Sequence, residues 1–285
     1  MLRGNWIGAL AIAAALAMAG APGHAFDESK YPDFAGQWKK PRTNGTVAVI
    51  NQRDITKPVG RGQQAPLTPE YQAIFEAGLA DQAAGGQGND PTYTCIPDGM
   101  PRVMNVIFPM EIIVTPNTTY MLIEYLTQQR RIFTDGRDFP KDFEPSFTGY
   151  SIGKWVEPDA KGRYQALEVE TRLLKGPRTY DPSGAPLHPD NESVVTERIY
   201  LDKANANILH DDITTVDHAL TRPWTVNKRF VRVPNPIWIE ASCSEGNPHV
   251  RIDGTSFMLS ADGHLMPAKK GQKPPDLRYF NQPQK

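Results

Sequence analysis

The chain carries 285 residues, with 31 Lys plus Arg against 32 Asp plus Glu and a formal charge of -1. So small a net charge gives no global field to recruit nucleic acid or an acidic membrane surface, and neither partner is expected. The length suffices to bury a core without staples, and two cysteines leave room for a single disulfide.

The first 25 residues read as an export signal. Arg3 supplies the positive start, Ile7 to Met18 an apolar run, and Gly23-His24-Ala25 the small residues of a cleavage site. That run is too short and too Ala-rich to span a hydrocarbon core of ~30 Å, so no stable membrane insertion is expected. No Cys follows the expected cut after Ala25, which gives no sign of a lipid anchor. The expected location is the periplasm or the exterior, an oxidising setting in which Cys95 and Cys243 pair as a disulfide. A nucleophilic Cys is the weaker reading, because neither has a neighbouring His or Lys to activate it.

Residues 26–285 are expected to form a single β-rich domain. Segment 26–66, rich in Pro, Gly, Gln and charge, reads as a surface wrap whose apolar pieces are Phe34 to Trp38 and Val47 to Ile50. A helix over 67–80 follows from Thr68 at the N-cap, Pro69 at the first helical position, Glu70 in the first turn, and Tyr71, Ile74 and Phe75 on one side. A Gly-rich loop, 83–91, leads to Cys95. From 103 to 241 the chain breaks into short runs rich in Val, Ile, Thr, Tyr and Phe, with strands expected at 103–107, 111–115, 119–126, 130–134, 150–156, 163–173, 193–202, 207–216, 224–232 and 236–241. Residues 250–285 read as a tail. The fold class is mainly β: an antiparallel barrel, lipocalin-like in architecture only, or a sandwich, with one short N-terminal helix. Closure into a barrel is preferred because it leaves no exposed edge.

Period-two phasing picks out polar residues on apolar faces. Glu197 shares a face with Val195, Ile199 and Leu201, and Glu124 with Tyr120, Leu122 and Leu126. An unpaired carboxylate inside a barrel is driven toward the range useful for acid or base work, whereas a structural pair with Arg130, Arg131 or Arg198 is the plainer alternative. His188, in the loop before the strand carrying Glu197, is the third candidate acid or base. Around the turn Thr134-Asp135-Gly136-Arg137, Arg131 and Arg137 offer planar forks for a ligand oxygen, with Asp135 beside them. Tyr150, Trp155, Arg198 and Trp224 are candidate pocket-wall or ligand-contact residues, since aromatic side chains give a barrel interior flat apolar faces.

Three other patterns are set aside. Gly149-Tyr-Ser151-Ile-Gly153 has the spacing of a nucleophile elbow, but the sequence continues as strand and turn rather than as a helix. His210, Asp211, Asp212, Asp217 and His218 crowd together, yet adjacent strand residues face opposite ways and do not converge on one ion. His249 follows the second Cys with no further signal. No nucleotide fingerprint or clustered metal motif is present, so the expected cofactor complement is none and the metal complement none.

Cys95-Ile-Pro-Asp-Gly-Met-Pro-Arg102, Arg130-Arg-Ile-Phe-Thr-Asp-Gly-Arg137, Gly149-Tyr-Ser-Ile-Gly-Lys-Trp155, Val195-Thr-Glu-Arg198 and Thr221-Arg-Pro-Trp224 together resemble a family of largely uncharacterised exported bacterial β-rich proteins. The resemblance spans roughly residues 67 to 250. It implies export, a single β-rich domain and importance for the Arg, Asp and Glu of these motifs, and it implies no activity. The chain departs from that family's pattern at Ser244, where a His commonly follows the second Cys. The expected function is a cofactor-free acid/base enzyme, of the isomerase, lyase, hydratase or hydrolase kind, that encloses a small, partly apolar organic molecule. A non-catalytic periplasmic binding or transport protein is the alternative.

Overall fold

The computed structural model describes residues 26–43, 46–47, 65–105, 108–246, 248–253, 255–260 and 262–273. The expected signal peptide lies outside them. The described residues form fourteen strands: β1 (Gly36–Lys39), β2 (Arg42–Thr43), β3 (Thr46–Val47), β4 (Met110–Val114), β5 (Thr118–Ile123), β6 (Gln128–Phe133), β7 (Tyr150–Val156), β8 (Ala166–Arg172), β9 (Val194–Leu201), β10 (Ile208–Val216), β11 (Trp224–Arg232), β12 (His249–Ile252), β13 (Thr255–Leu259) and β14 (Leu265–Pro267). Nine of them close a barrel in the order β1-β11-β10-β9-β8-β7-β6-β5-β4. Neighbours run antiparallel except β6 and β7, which are parallel with Ile132 opposite Ser151. A parallel pair needs a long return. Residues 134–149 supply it.

The closing stave comes from the segment expected to wrap the surface. In β1, Trp38 pairs with Arg232 of β11 on one side and Met110 of β4 on the other. Inward positions follow the pleat: Leu167 and Val169 from β8, Val195 and Ile199 from β9, Leu209 and Ile213 from β10, Phe230 from β11, Ile112 from β4, Met121 and Ile123 from β5. Phe34, Met100 and Met104 enter the same core from loops. Each such side chain contributes roughly 1.5–3 kcal/mol on burial.

Gly153 faces inward on β7, where a Cβ would come within 2.6 Å of Ile132 Cγ2. Gly149 has φ +69°, and a Cβ there would meet Arg172 O at 2.5 Å. The Gly-x-Ser-x-Gly spacing is therefore a packing pattern: Ser151 points into the barrel and hydrogen-bonds Thr171 Oγ1 at 2.8 Å.

Helix α1 (Pro69–Ala83) begins as expected, with Thr68 Oγ1 accepting the Tyr71 N–H. It runs about a turn beyond the expected end, to Ala83, and Gly78 within it is buried against the Asn89 side chain. Phe75 of α1 joins Ala65, Tyr180, Ala185, Leu187 and Leu220 in a second, smaller core outside the barrel. Within the expected tail, the described residues up to Pro267 form the sheet β12-β13-β14. Cys95 and Cys243 are bonded as a disulfide across 148 positions of sequence, the second at the start of the short helix α2 (Cys243–Gly246).

Two expected strands, 103–107 and 236–241, do not appear among the described residues. Arg102–Asn105 is a 3-10 turn held by the Arg102 guanidinium, which reaches Asp90 at 2.8 and 3.0 Å, Asp98 at 2.7 Å and Thr179 Oγ1 at 2.7 Å. Residues 236–241 carry no strand pairing, with Ile237 and Ile239 exposed. Pro234 and Pro236 remove the donors a ladder would need.

Candidate functional site in the barrel interior

Strand alternation places five ionisable side chains inside the barrel. β6 contributes Arg130, β9 Glu197, β10 Asp211 and β11 Lys228, and Lys40 follows directly on β1. All are buried. Arg130 and Glu197 form a two-pronged pair, Nη1 to Oε1 at 2.9 Å and Nη2 to Oε2 at 2.5 Å. The same guanidinium touches the sulfurs of Met104 and Met121 at 3.3 and 3.6 Å. Both Glu197 oxygens are thus engaged, the structural pairing set out as the alternative from sequence.

Asp211 lies directly across from Lys228 in the β10–β11 ladder. It has no exposure, and neither of its carboxyl oxygens has a hydrogen-bond partner. Lys40 Nζ also lacks one and sits 4.0 Å from the centre of the Phe230 ring. Lys228 Nζ donates to Asn105 Oδ1. Thr119 Oγ1, inward on β5, is a further buried atom with no partner. Burial raises the Asp211 carboxyl well above the usual carboxylate range, with Glu197 adding to the effect and Arg130 opposing it. Burial lowers the Lys40 amine to about 7, opposed by Asp211, and brings Lys228 well down, helped by Lys40. A buried carboxyl shifted up and a buried amine shifted down, neither with a hydrogen-bond partner, are the kind of groups that exchange protons with a bound molecule.

No family model and no curated protein matches this sequence.

The other residues read from the sequence are dispersed. β5 ends at Ile123 and faces Thr119, Met121 and Ile123 inward, so Tyr120 and Leu122 lie on the outer face, opposite to the expected phase. Both faces of this strand are apolar, so alternation alone does not fix its phase. Glu124 follows the strand, buried, where its Oε2 accepts the Ile239 N–H at 3.4 Å. Arg131 is exposed on the outer face of β6. Arg137 forks onto Asp135 at 2.5–3.0 Å, lies over the Phe133 ring and reaches Tyr150 Oη at 3.4 Å, a closed surface cluster. Arg198 points outward to Glu157 at 2.9 Å and Glu168 at 3.6 Å. Trp155 lies inward against Phe34, whereas Trp224 packs on Tyr180 in the second core. His188 stands outside the barrel beside Tyr71, Asp190 and His218. The expected assembly of Glu197, Glu124, His188, Arg131 and Arg137 around one ligand does not form.

Asp211 enters the sequence reading only as a rejected metal ligand, and Lys228 and Lys40 do not enter it as site residues. The signal was present for two of them: Leu209, Asp211 and Ile213 share a phase, as do Val226, Lys228 and Phe230.

Proposed function

We propose that this protein encloses a small, partly apolar organic molecule in its barrel and acts on it by cofactor-free proton transfer, in the isomerase, lyase or hydrolase class. The observation that carries this is the Asp211 carboxyl and Lys40 amine, buried together with no hydrogen-bond partners. Leaving such groups unsatisfied costs roughly 1–3 kcal/mol each, a cost that a guest bearing a carbonyl, hydroxyl or carboxyl oxygen removes.

In this reading Asp211 gives or takes the proton and Lys40 donates to the guest's oxygen. The Arg130–Glu197 pair is a fixed dipole beside them. Met121, Ile213 and Phe230, buried in the same barrel core, are the apolar neighbours of such a guest. Glu124, His188, Arg131 and Arg137 take no part. The disulfide fits an exported protein in an oxidising compartment.

A binding or carrier role without chemistry is the second reading, favoured by the complete burial of Asp211, Lys228 and Arg130. A guest held behind so closed a wall exchanges slowly. Incubating the protein with the molecule it retains separates the two: a product of altered mass or proton placement, formed by the native chain and not by Asp211→Asn, supports catalysis. Unchanged ligand with saturable binding supports the carrier.

A further inference from the structure

Outside the barrel, the loop before β9 and the turn between β10 and β11 bring His188, Asp190 and His218 together. His188 Nδ1 lies 2.9 Å from Asp190 Oδ2, and His218 Nδ1 lies 2.5 Å from the same oxygen. One ligand atom from each residue falls within 4.8 Å of the others. From these positions we infer that His188, Asp190 and His218 form a binding site for a zinc-class divalent cation, independent of the barrel interior.

The convergence of donors is what points to a cation: two imidazole nitrogens from separate segments approach one carboxylate oxygen, Asp190 Oδ2, gathering nitrogen and oxygen donors at a single point.

The donor set selects the class of ion. Two imidazole nitrogens and a carboxylate oxygen suit zinc and its neighbours, whereas calcium and magnesium favour sites built from oxygen. Donors around such an ion stand about 3.3 Å apart, so the two contacts to Asp190 Oδ2 open by less than about 1 Å on loading. His218, with 64% of its side chain exposed, has freedom to move. Glu192 Oε2, at 4.0 Å from His218 Nδ1, is within reach as a fourth donor.

The backbone beneath is held firmly. Buried Asp217 accepts the His188 N–H at 2.9 Å and the Ala219 N–H at 2.8 Å, tying the two ligand-bearing segments together. It also accepts from Ser193 Oγ, which in turn takes a hydrogen bond from Arg178 at 2.6 Å. Such supporting contacts orient metal ligands. Leu187 and Pro189, on either side of His188, line an outer cleft of about 580 Å³ that Arg178 and Thr179 share. When Glu192 does not bind, three protein donors leave the ion an open position for water or an anionic group, in the manner of catalytic rather than structural zinc.

The test is calorimetric titration of the chelator-stripped full chain with Zn²⁺ alone, repeated with Co²⁺ for its visible absorption. One equivalent is expected, weakened 10- to 100-fold by His218→Gln and by His188→Gln, and unchanged by His210→Gln. His218 is exposed, so its variant is expected to fold and decides the matter even if His188→Gln does not. No binding by the native chain, or equal binding by His218→Gln, overturns the site.

Discussion

Asp211 and Lys228 face each other across β10 and β11, both turned into the barrel and both covered completely, yet Lys228 donates to Asn105 while the Asp211 oxygens find no hydrogen bond. Opposite charges placed in register normally satisfy one another. Here the carboxyl is left available, and replacing it should relieve the fold. Asp211→Asn is expected to fold with stability equal to the native chain or up to about 2 kcal/mol higher, measured by urea denaturation. A loss above about 2 kcal/mol would mean that the carboxyl is a structural anchor.

Lys40 gives a pH dependence whose sign is fixed. Its amine falls from 10.5 in the unfolded chain to about 7 in the fold, chiefly through burial. Between those values the unfolded chain binds the extra proton, so stability rises with pH from about 7 toward 10 and is reduced below that window. The full effect is on the order of 5 kcal/mol. Lys40→Met is expected to make this rise shallower in denaturation series at pH 7, 8.5 and 9.5. Identical slopes for the two proteins would contradict an amine buried without a partner.

The Arg130–Glu197 pair behaves as a unit. Removing one partner strands a buried charge, so Glu197→Gln or Arg130→Met alone is expected to cost about 3–5 kcal/mol. The double variant Arg130→Met/Glu197→Leu should recover most of that loss. A single variant costing under about 1 kcal/mol would show that water reaches the pair.

At Gly153 an added methyl would collide with Ile132 and Leu167. Gly153→Ala is expected to lower stability by about 1–3 kcal/mol in thermal or urea unfolding. Ser151→Ala, which only removes the bond to Thr171, should cost about 1 kcal/mol and leave any activity in place. Loss of all activity in that variant, with the fold intact, would revive a nucleophilic serine.

The Cys95–Cys243 bond closes a loop of 148 residues. Replacing both with Ser is expected to cost about 4–5 kcal/mol in the chain-entropy view. Unfolding with and without reductant measures it, and equal midpoints would contradict a staple.

Much of the barrel was legible because its staves alternate cleanly. β9 reads Val195, Glu197, Ile199 on one face, and that face is buried. β5 was misphased because Tyr120 and Leu122 are as apolar as Met121 and Ile123, leaving the two registers equal in sequence. The closing stave β1 was hidden by its polar surroundings, since Gln37 and Lys39 flank Trp38. Candidate residues fared less well for a related reason. Polar residues in turns, such as Asp135 and Arg137, stand out in sequence, whereas those among apolar neighbours on long strands, such as Asp211, do not. His188 and His218 are thirty positions apart, and only the tertiary fold through Asp217 joins them.

Native mass spectrometry of the protein purified from its own source, beside its Asp211→Asn variant, tests the central proposal most directly. A single bound small molecule on the native chain, at reduced occupancy in the variant, is the expected result. A native chain whose mass matches the bare polypeptide under the gentlest conditions, identical to the variant, would contradict it.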